Sequence, residues 1–168
     1  MEPRKLETVR NLVNEIPAFG KRIEGQDYVI RPSAYALVRN ESGALAVTRT
    51  TRGLYLPGGG MNAEESVNEA AIREAREECG LVLKIRSVDE GGIELRAVDI
   101  AYSDEEHKHF EKRCTFVEAE VAGRVPATEE DHELLWMSLE EAAQKLSPQS
   151  HRWAVERLIE REELKKAE

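Results

Sequence analysis

Residues Gly58 to Leu81, "GGGMNAEESVNEAAIREAREECGL", constrain this chain most tightly: they read as one short helix with defined ends and a charge pattern that opposes its own dipole. Ser66 followed three residues later by Glu69 has the spacing of a capping box, so the helix begins near Val67. Gly80 followed by Leu81 reads as a left-handed C-terminal cap, so it ends near Cys79. Between these ends Val67, Ala70, Ala71, Ala75 and Cys79 recur at three- and four-residue intervals. That narrow stripe of small residues predicts a helix lying close against a sheet. The opposite face is less ordinary, because Glu74, Glu77 and Glu78 gather toward the C-terminal end, where the helix dipole disfavours anions. At this spacing the three side chains share a face and repel one another unless a positive charge sits among them. A local rule broken in this way marks a candidate site.

A chain of 168 residues is most simply one domain with a real core. Its formal net charge of −9 argues against binding a nucleic-acid duplex or an anionic membrane, since both favour a basic surface. An anionic small molecule would need a cation as mediator. Cys79 and Cys114 fit neither a disulfide framework nor a zinc spacing and read as buried thiols in a reducing compartment. The N-terminus lacks a signal peptide's apolar core, and no apolar run reaches the length of a membrane span. The expected location is the cytoplasm.

Leu6, Val9, Leu12, Val13 and Ile16 have helical spacing and predict an N-terminal amphipathic helix, with a second copy of the chain as one candidate partner. Residues 28–38 and 44–50 read as a hairpin through a turn at 40–43, with Pro32 as a candidate interruption. A short apolar segment, 54–56, leads into Pro57-Gly58-Gly59-Gly60, which reads as a tight turn. Beyond the helix, 82–88 and 93–100 read as a hairpin through Glu90-Gly91-Gly92, 102–109 as a polar loop and 114–121 as a strand. A last strand at 134–137 precedes a capping-box helix from Ser138 and a terminal helix at about 149–165.

Gly59, five residues, Glu65, seven residues and then "REAREECGL" from Arg73 to Leu81 resemble the Nudix box, G-x5-E-x7-R-E-U-x-E-E-x-G-U with U a bulky aliphatic. Every charged and glycine position matches; Ala75, apolar but smaller than usual, is the one departure. The "LPGGG" before the box and "EEDHELLWMSLEEA" near the C-terminus are also similar to the family. The resemblance implies an α/β fold, a Nudix-type α/β/α sandwich with a mixed β-sheet between helices. It would occupy residues 25–168 behind an N-terminal helical extension at 1–24, in a single domain overall. It further implies MutT-like, metal-dependent hydrolysis of a diphosphate bond in a small nucleotide, by attack of water on phosphorus. Within the box it makes Glu77 and Glu78 metal ligands, Glu74 a ligand or water-orienting group, and Arg73 with Glu65 a supporting ion pair beside Gly59.

The residue chemistry agrees, since clustered carboxylates offer hard oxygen ligands suited to Mg²⁺ or Mn²⁺. Glu69 and Arg76 read as helix surface and cap. Gly58 and Gly60, without Cβ atoms, would let a phosphate approach the backbone. In the family a general base often comes from a glutamate in a late loop before an aromatic strand residue. Glu130, six residues before Trp136, is the first choice here and Glu129 the next, with Glu118 and Glu120 as alternatives if their sheet face looks onto the metal. Tyr28, Tyr55 and Trp136 are candidates either for stacking on a nucleobase or for the core. The four histidines show no paired-ligand spacing.

Subfamily signatures are missing: no proline lies between Gly58 and Val125, and the window after the box holds Ala97, Val98 and Asp99 rather than a tyrosine. A nucleoside triphosphate, a nucleotide sugar or a related small derivative remains as the expected substrate. The alternative is a non-catalytic, nucleotide-sensing Nudix-like module, which would usually have lost box glutamates.

Overall fold

The computed structural model describes residues 2–167; Met1 and Glu168, the outer limits of the expected domains, lie outside the described residues. The elements run α1 (Pro3–Asn14), β1 (Ala18–Phe19), β2 (Val29–Arg39), β3 (Leu45–Thr50), β4 (Gly53–Tyr55) and β5 (Gly58–Gly60), then α2 (Val67–Cys79). They continue with β6 (Leu81–Ile85), β7 (Glu94–Ser103), β8 (Lys108–Arg124), β9 (Glu133–Met137), α3 (Leu139–Lys145) and α4 (Gln149–Lys166). The strands form one mixed sheet in the order β1-β7-β8-β2-β3-β4, with β5 on β2, β6 on β8 and β9 on β3.

Period-two alternation along β2 sorts the core into two layers. Ala34, Ala36 and Val38 turn to one face, where they meet Ala70, Ala71, Ala75 and Cys79 of α2. Leu37, with Tyr35 beside it, turns to the other and joins Phe116, Trp153, Val155 and Leu158 under α3 and α4. The helix–sheet–helix sandwich expected from the sequence is therefore present, with small residues on the α2 side and larger ones on the α4 side. α2 starts and stops as its caps dictate: Ser66 accepts the Glu69 N–H, and Gly80 takes a left-handed φ of 65°.

Pro32 does not interrupt β2. Its carbonyl accepts the Met61 N–H at 2.9 Å, so its ring nitrogen faces the same side, just past the end of β5, where no donor is needed. Residues 58–60, expected as a turn, instead form β5, antiparallel to Ser33–Tyr35. The expected hairpin between 82–88 and 93–100 does not form either. Both strands pair with β8, β7 along its first part and β6 along its last. The join is closed by the Arg86 N–H on the Glu118 carbonyl at 2.9 Å and the Glu118 N–H on the Ile93 carbonyl at 3.2 Å. The expected polar loop at 102–109 shrinks to a turn, because β7 and β8 pair as far as Ser103 and Lys108. β1, which periodicity did not reveal, lies parallel to β7 at Val98 and Asp99.

Phe116 and Glu118 point to the α4 layer, away from α2. There Glu118, 3% exposed, pairs with Arg161, also 3% exposed, while Arg39 approaches it at 3.4 Å and Arg86 at 3.6 Å. Arg161 also donates to the Gly91 carbonyl at 3.1 Å, tying the 86–93 connection to α4. Removing Arg161 leaves Glu118 with only the longer contacts to Arg39 and Arg86 and frees the Gly91 carbonyl, so Arg161→Ala should cost about 1.5–3 kcal/mol, less than an uncompensated buried charge would. Urea unfolding monitored by circular dichroism will measure it; a change under about 1 kcal/mol would mean that water already solvates Glu118.

Candidate active site

The helix carboxylates are assembled by two anchors. Arg73 sends its Nε and Nη2 to the two oxygens of Glu65 at 2.7 and 2.9 Å, a bidentate pair that joins the 61–65 loop to α2. Its Nη1 reaches Glu74 at 3.1 Å and Glu77 at 3.2 Å, and its Nη2 also donates to the Gly60 carbonyl at 3.2 Å. One guanidinium therefore relieves the repulsion along the acidic face. The hydrogen bond from Arg73, helped by the Asn62 N–H, holds the Glu65 carboxyl down to about 2. The Glu65 hydrogen bond in turn raises Arg73 further above its usual range.

The second anchor is the end of α2. Thr128 and Glu129 both donate their N–H groups to the Glu77 carbonyl at 3.0 Å, and Val125 donates to the Gly80 carbonyl at 2.9 Å. A late loop thus satisfies carbonyls that a helix terminus leaves open. The consequence is chemical: Glu74, Glu77 and Glu129 each offer an oxygen, all within 4.8 Å of one another. Glu130 is exposed and stands outside this group. Burial, with the charges of Glu74 and Glu77 behind it, raises Glu129 above the usual carboxylate range, while His132 opposes the shift.

Glu78 turns inward. It is 4% exposed, accepts the Gly58 N–H at 3.0 Å, and lies beside Glu74. Burial first, then the neighbouring Glu74 and Glu129, push its carboxyl up to about 9 even though the Gly58 bond opposes them. Gly59 sits over Glu74: a Cβ there would come within 2.9 Å of its Oε1, so glycine leaves room for a carboxylate against the backbone. These features fit a hard dication, since the donors are carboxylate oxygens and the loop beside them is bare of side chains.

His132, which spacing gave no reason to single out, stands between the carboxylates. Its Nδ1 is 3.1 Å from Glu129 and 2.9 Å from Asp131, and its Nε2 is 3.6 Å from Glu78. Its place is set by the loop, which no local pattern reveals. Glu69 and Arg76 lie on the exposed face of α2. Glu118 and Glu120 face away from the carboxylate group, on the α4 side.

The aromatic candidates separate. Tyr55 lines a cavity of about 280 Å³ with Tyr35 and Phe19, on the α4 side of Gly58. Trp136 lines a different cavity of about 910 Å³, together with Arg39 and Arg86. Tyr28 lies against His109 at a ring distance of 5.5 Å, at the far end of the sheet.

The NUDIX domain model matches residues 29–158, which include the whole acidic helix and the loop that carries Glu129. The chain belongs to the Nudix family. Membership implies a hydrolase acting on a diphosphate linkage of a nucleotide derivative. Similar solved structures share the Nudix fold. A MutT protein from Methanosarcina mazei Go1 is 23% identical, with 83% of this chain and 99% of that one covered and a TM-score of 0.58. A C. elegans Ap4A hydrolase is 17% identical over 76% of this chain and 94% of that one, with a TM-score of 0.58. A MutT Nudix hydrolase from Burkholderia pseudomallei is 24% identical over 77% and 98%, with a TM-score of 0.55. Comparison with curated proteins finds no match. Among the described residues no helix is long and apolar enough to cross a membrane.

Behind this Nudix loop His151 of α4 accepts the Leu56 N–H on Nδ1 at 3.1 Å, with its ring edge-on to Tyr35 at 4.3 Å. Burial drives its pKa from 6.5 down to about 3, so the folded protein holds it neutral. The unfolded chain protonates it first, and its contribution is complete above about pH 6.5 and lost as the pH falls toward 3. At pH 5 the loss amounts to about 2 kcal/mol. Glu78, held protonated by burial, contributes a slope of opposite sign over this range, so the His151 contribution is read as a difference. The unfolding free energy of wild type relative to His151→Gln, in urea, should fall by about 2 kcal/mol between pH 7 and 5. In parallel, the His151 ring should not titrate by NMR over that range.

Proposed function

We propose that this Nudix protein hydrolyses a diphosphate bond in a nucleoside triphosphate or nucleotide sugar, using Mg²⁺ or Mn²⁺, in the cytoplasm. The observation that carries the reading is the convergence of Glu74, Glu77 and Glu129 within 4.8 Å, from two separate segments of chain. A dication bound there neutralises substrate oxygens and lowers the pKa of a water ligand. Glu74 and Glu77 are the carboxylates that hold it, and Glu78 stands beside Glu74 as the third helix carboxylate of the set. Arg73 keeps Glu74 and Glu77 ordered on one face, and Glu65 fixes Arg73. Glu129, on the facing loop, accepts the proton of the attacking water; its placement favours it over Glu130 for that role. Gly58 and Gly60 give the phosphates access to backbone along β5. Full retention of the box glutamates supports an enzyme over a nucleotide sensor.

The test is release of phosphate or nucleoside monophosphate from a nucleotide panel with Mg²⁺, repeated with chelator. Cleavage should disappear with the metal, and Glu78→Gln should lower turnover by about a hundredfold. Full turnover in that variant would remove Glu78 from the set. Glu77→Gln should weaken Mn²⁺ binding by about ten- to a hundredfold, read by electron paramagnetic resonance. For proton transfer, Glu129→Gln should reduce kcat by about a hundredfold or more, whereas Glu130→Gln should stay near wild type. The reverse ranking would return the role to Glu130. Tight nucleotide binding without cleavage of any panel member would favour the sensor.

A further inference from the structure

Residues 18–20 precede the matched domain, yet Phe19 and Gly20 wall a cavity that its Tyr35 and Tyr55 also line. β1 runs parallel to β7 at Val98 and Asp99, and the Val98 N–H bonds the Pro17 carbonyl at 2.9 Å. This brings Phe19 and Gly20 against Tyr35, Tyr55, Asp99, Lys112 and Gln149 around about 280 Å³. Small-molecule sites run from about 300 to 1,000 Å³, so this space suits one part of a nucleotide rather than the whole.

The cavity adjoins the candidate active site through the backbone. Tyr35 is in register with Gly58, whose N–H donates to Glu78. A base lodged beside Tyr35 and Tyr55 would leave its phosphates on the β5 side, toward the carboxylates. The walls are backed by further rings: Tyr35 packs on His151, and Phe19 on Trp153 at a ring distance of 6.3 Å.

The polar groups on these walls carry direction. Ser150 and Cys114 both donate to Asp99 Oδ2, which fixes the carboxylate, and among the described residues no hydrogen bond reaches Oδ1. Lys112 lies directly opposite Asp99 across β7 and β8 without closing an ion pair with it. An acceptor and a cation stand side by side at the edge of an aromatic slot. Guanine presents two adjacent N–H donors, both able to converge on the open Oδ1, next to an O6 acceptor that the ammonium can take. Adenine and cytosine each offer the carboxylate a single amino group.

Resting on the hydrolase reading above, we propose that the cavity between the N-terminal strand and Tyr35–Tyr55 binds the base of the nucleotide, with Asp99 and Lys112 selecting guanine. The N-terminal extension is then part of the specificity apparatus, supplying the Phe19 wall on the strand that positions Asp99.

Calorimetry of the full-length protein in chelator, with GMP, AMP, CMP and UMP, tests binding apart from turnover. GMP should bind about tenfold or more tighter than the others, and Asp99→Asn should erase that margin. Phe19→Ala should weaken all four without reordering them. Lys112→Met, on a half-buried surface side chain, should also narrow the margin and covers the case in which Asp99→Asn fails to fold. Relative kcat/KM for GTP, ATP, CTP and UTP with Mg²⁺ should follow the same order. Cleavage with a base preference unchanged in both Asp99→Asn and Lys112→Met overturns the pocket assignment and leaves the hydrolase standing. Absence of cleavage across the panel, with GMP still preferred in calorimetry, overturns the hydrolase reading instead.

Discussion

Arg73 is the residue on which the arrangement of the site depends. A helix that ends in Glu74, Glu77 and Glu78 works against its own dipole, and a single guanidinium touching Glu65, Glu74, Glu77 and the Gly60 carbonyl offsets much of that penalty. It also sets geometry, because the bidentate bond to Glu65 fixes where the 61–65 loop meets the helix. β5 follows from the same constraint: its last carbonyl bonds the arginine, its first N–H bonds Glu78, and its edge pairs with β2. A lysine could not hold this position, having one ammonium where several divergent donors are used.

β8 performs the corresponding task for the fold. It runs 17 residues with β2 along one edge and β7 then β6 along the other, so the two halves of the sheet share one strand. When it ends at Arg124 the chain is beside the C-terminus of α2, and the open carbonyls of that helix capture the next loop. Glu129 arrives at the acidic face by this route. The second half of the site is therefore a product of helix termination, a local event, acting on a segment delivered by a distant one.

That difference explains what could be read in advance. The helix limits and its apolar stripe follow from spacing within 23 residues, where local rules apply, and the Arg73–Glu65 pairing from the resemblance to the Nudix box. The distinction between Glu129 and Glu130 does not, because it turns on which of two adjacent acids has its backbone bonded to Glu77. His132 was invisible for the same reason. The misread hairpin between 82–88 and 93–100 shows another limit: period-two patterns say that segments are strands, but both partners chose β8 over each other. The glycines at 58–60 suggested a turn, and only the edge of β2 makes them a strand.

The two faces of the sheet divide the labour by residue size. Alanines at 34, 36, 70, 71 and 75 bring α2 close, so that its carboxylates meet the backbone of β5 with little side chain between them. The opposite layer packs Phe116, Trp153, Tyr35 and His151 against α4, with a cavity at its rim. Leu56 links the layers, since its N–H is held by His151 from the α4 side just before the chain enters the glycine strand. A molecule with anionic and planar ends would be matched by both sides of β5 at once.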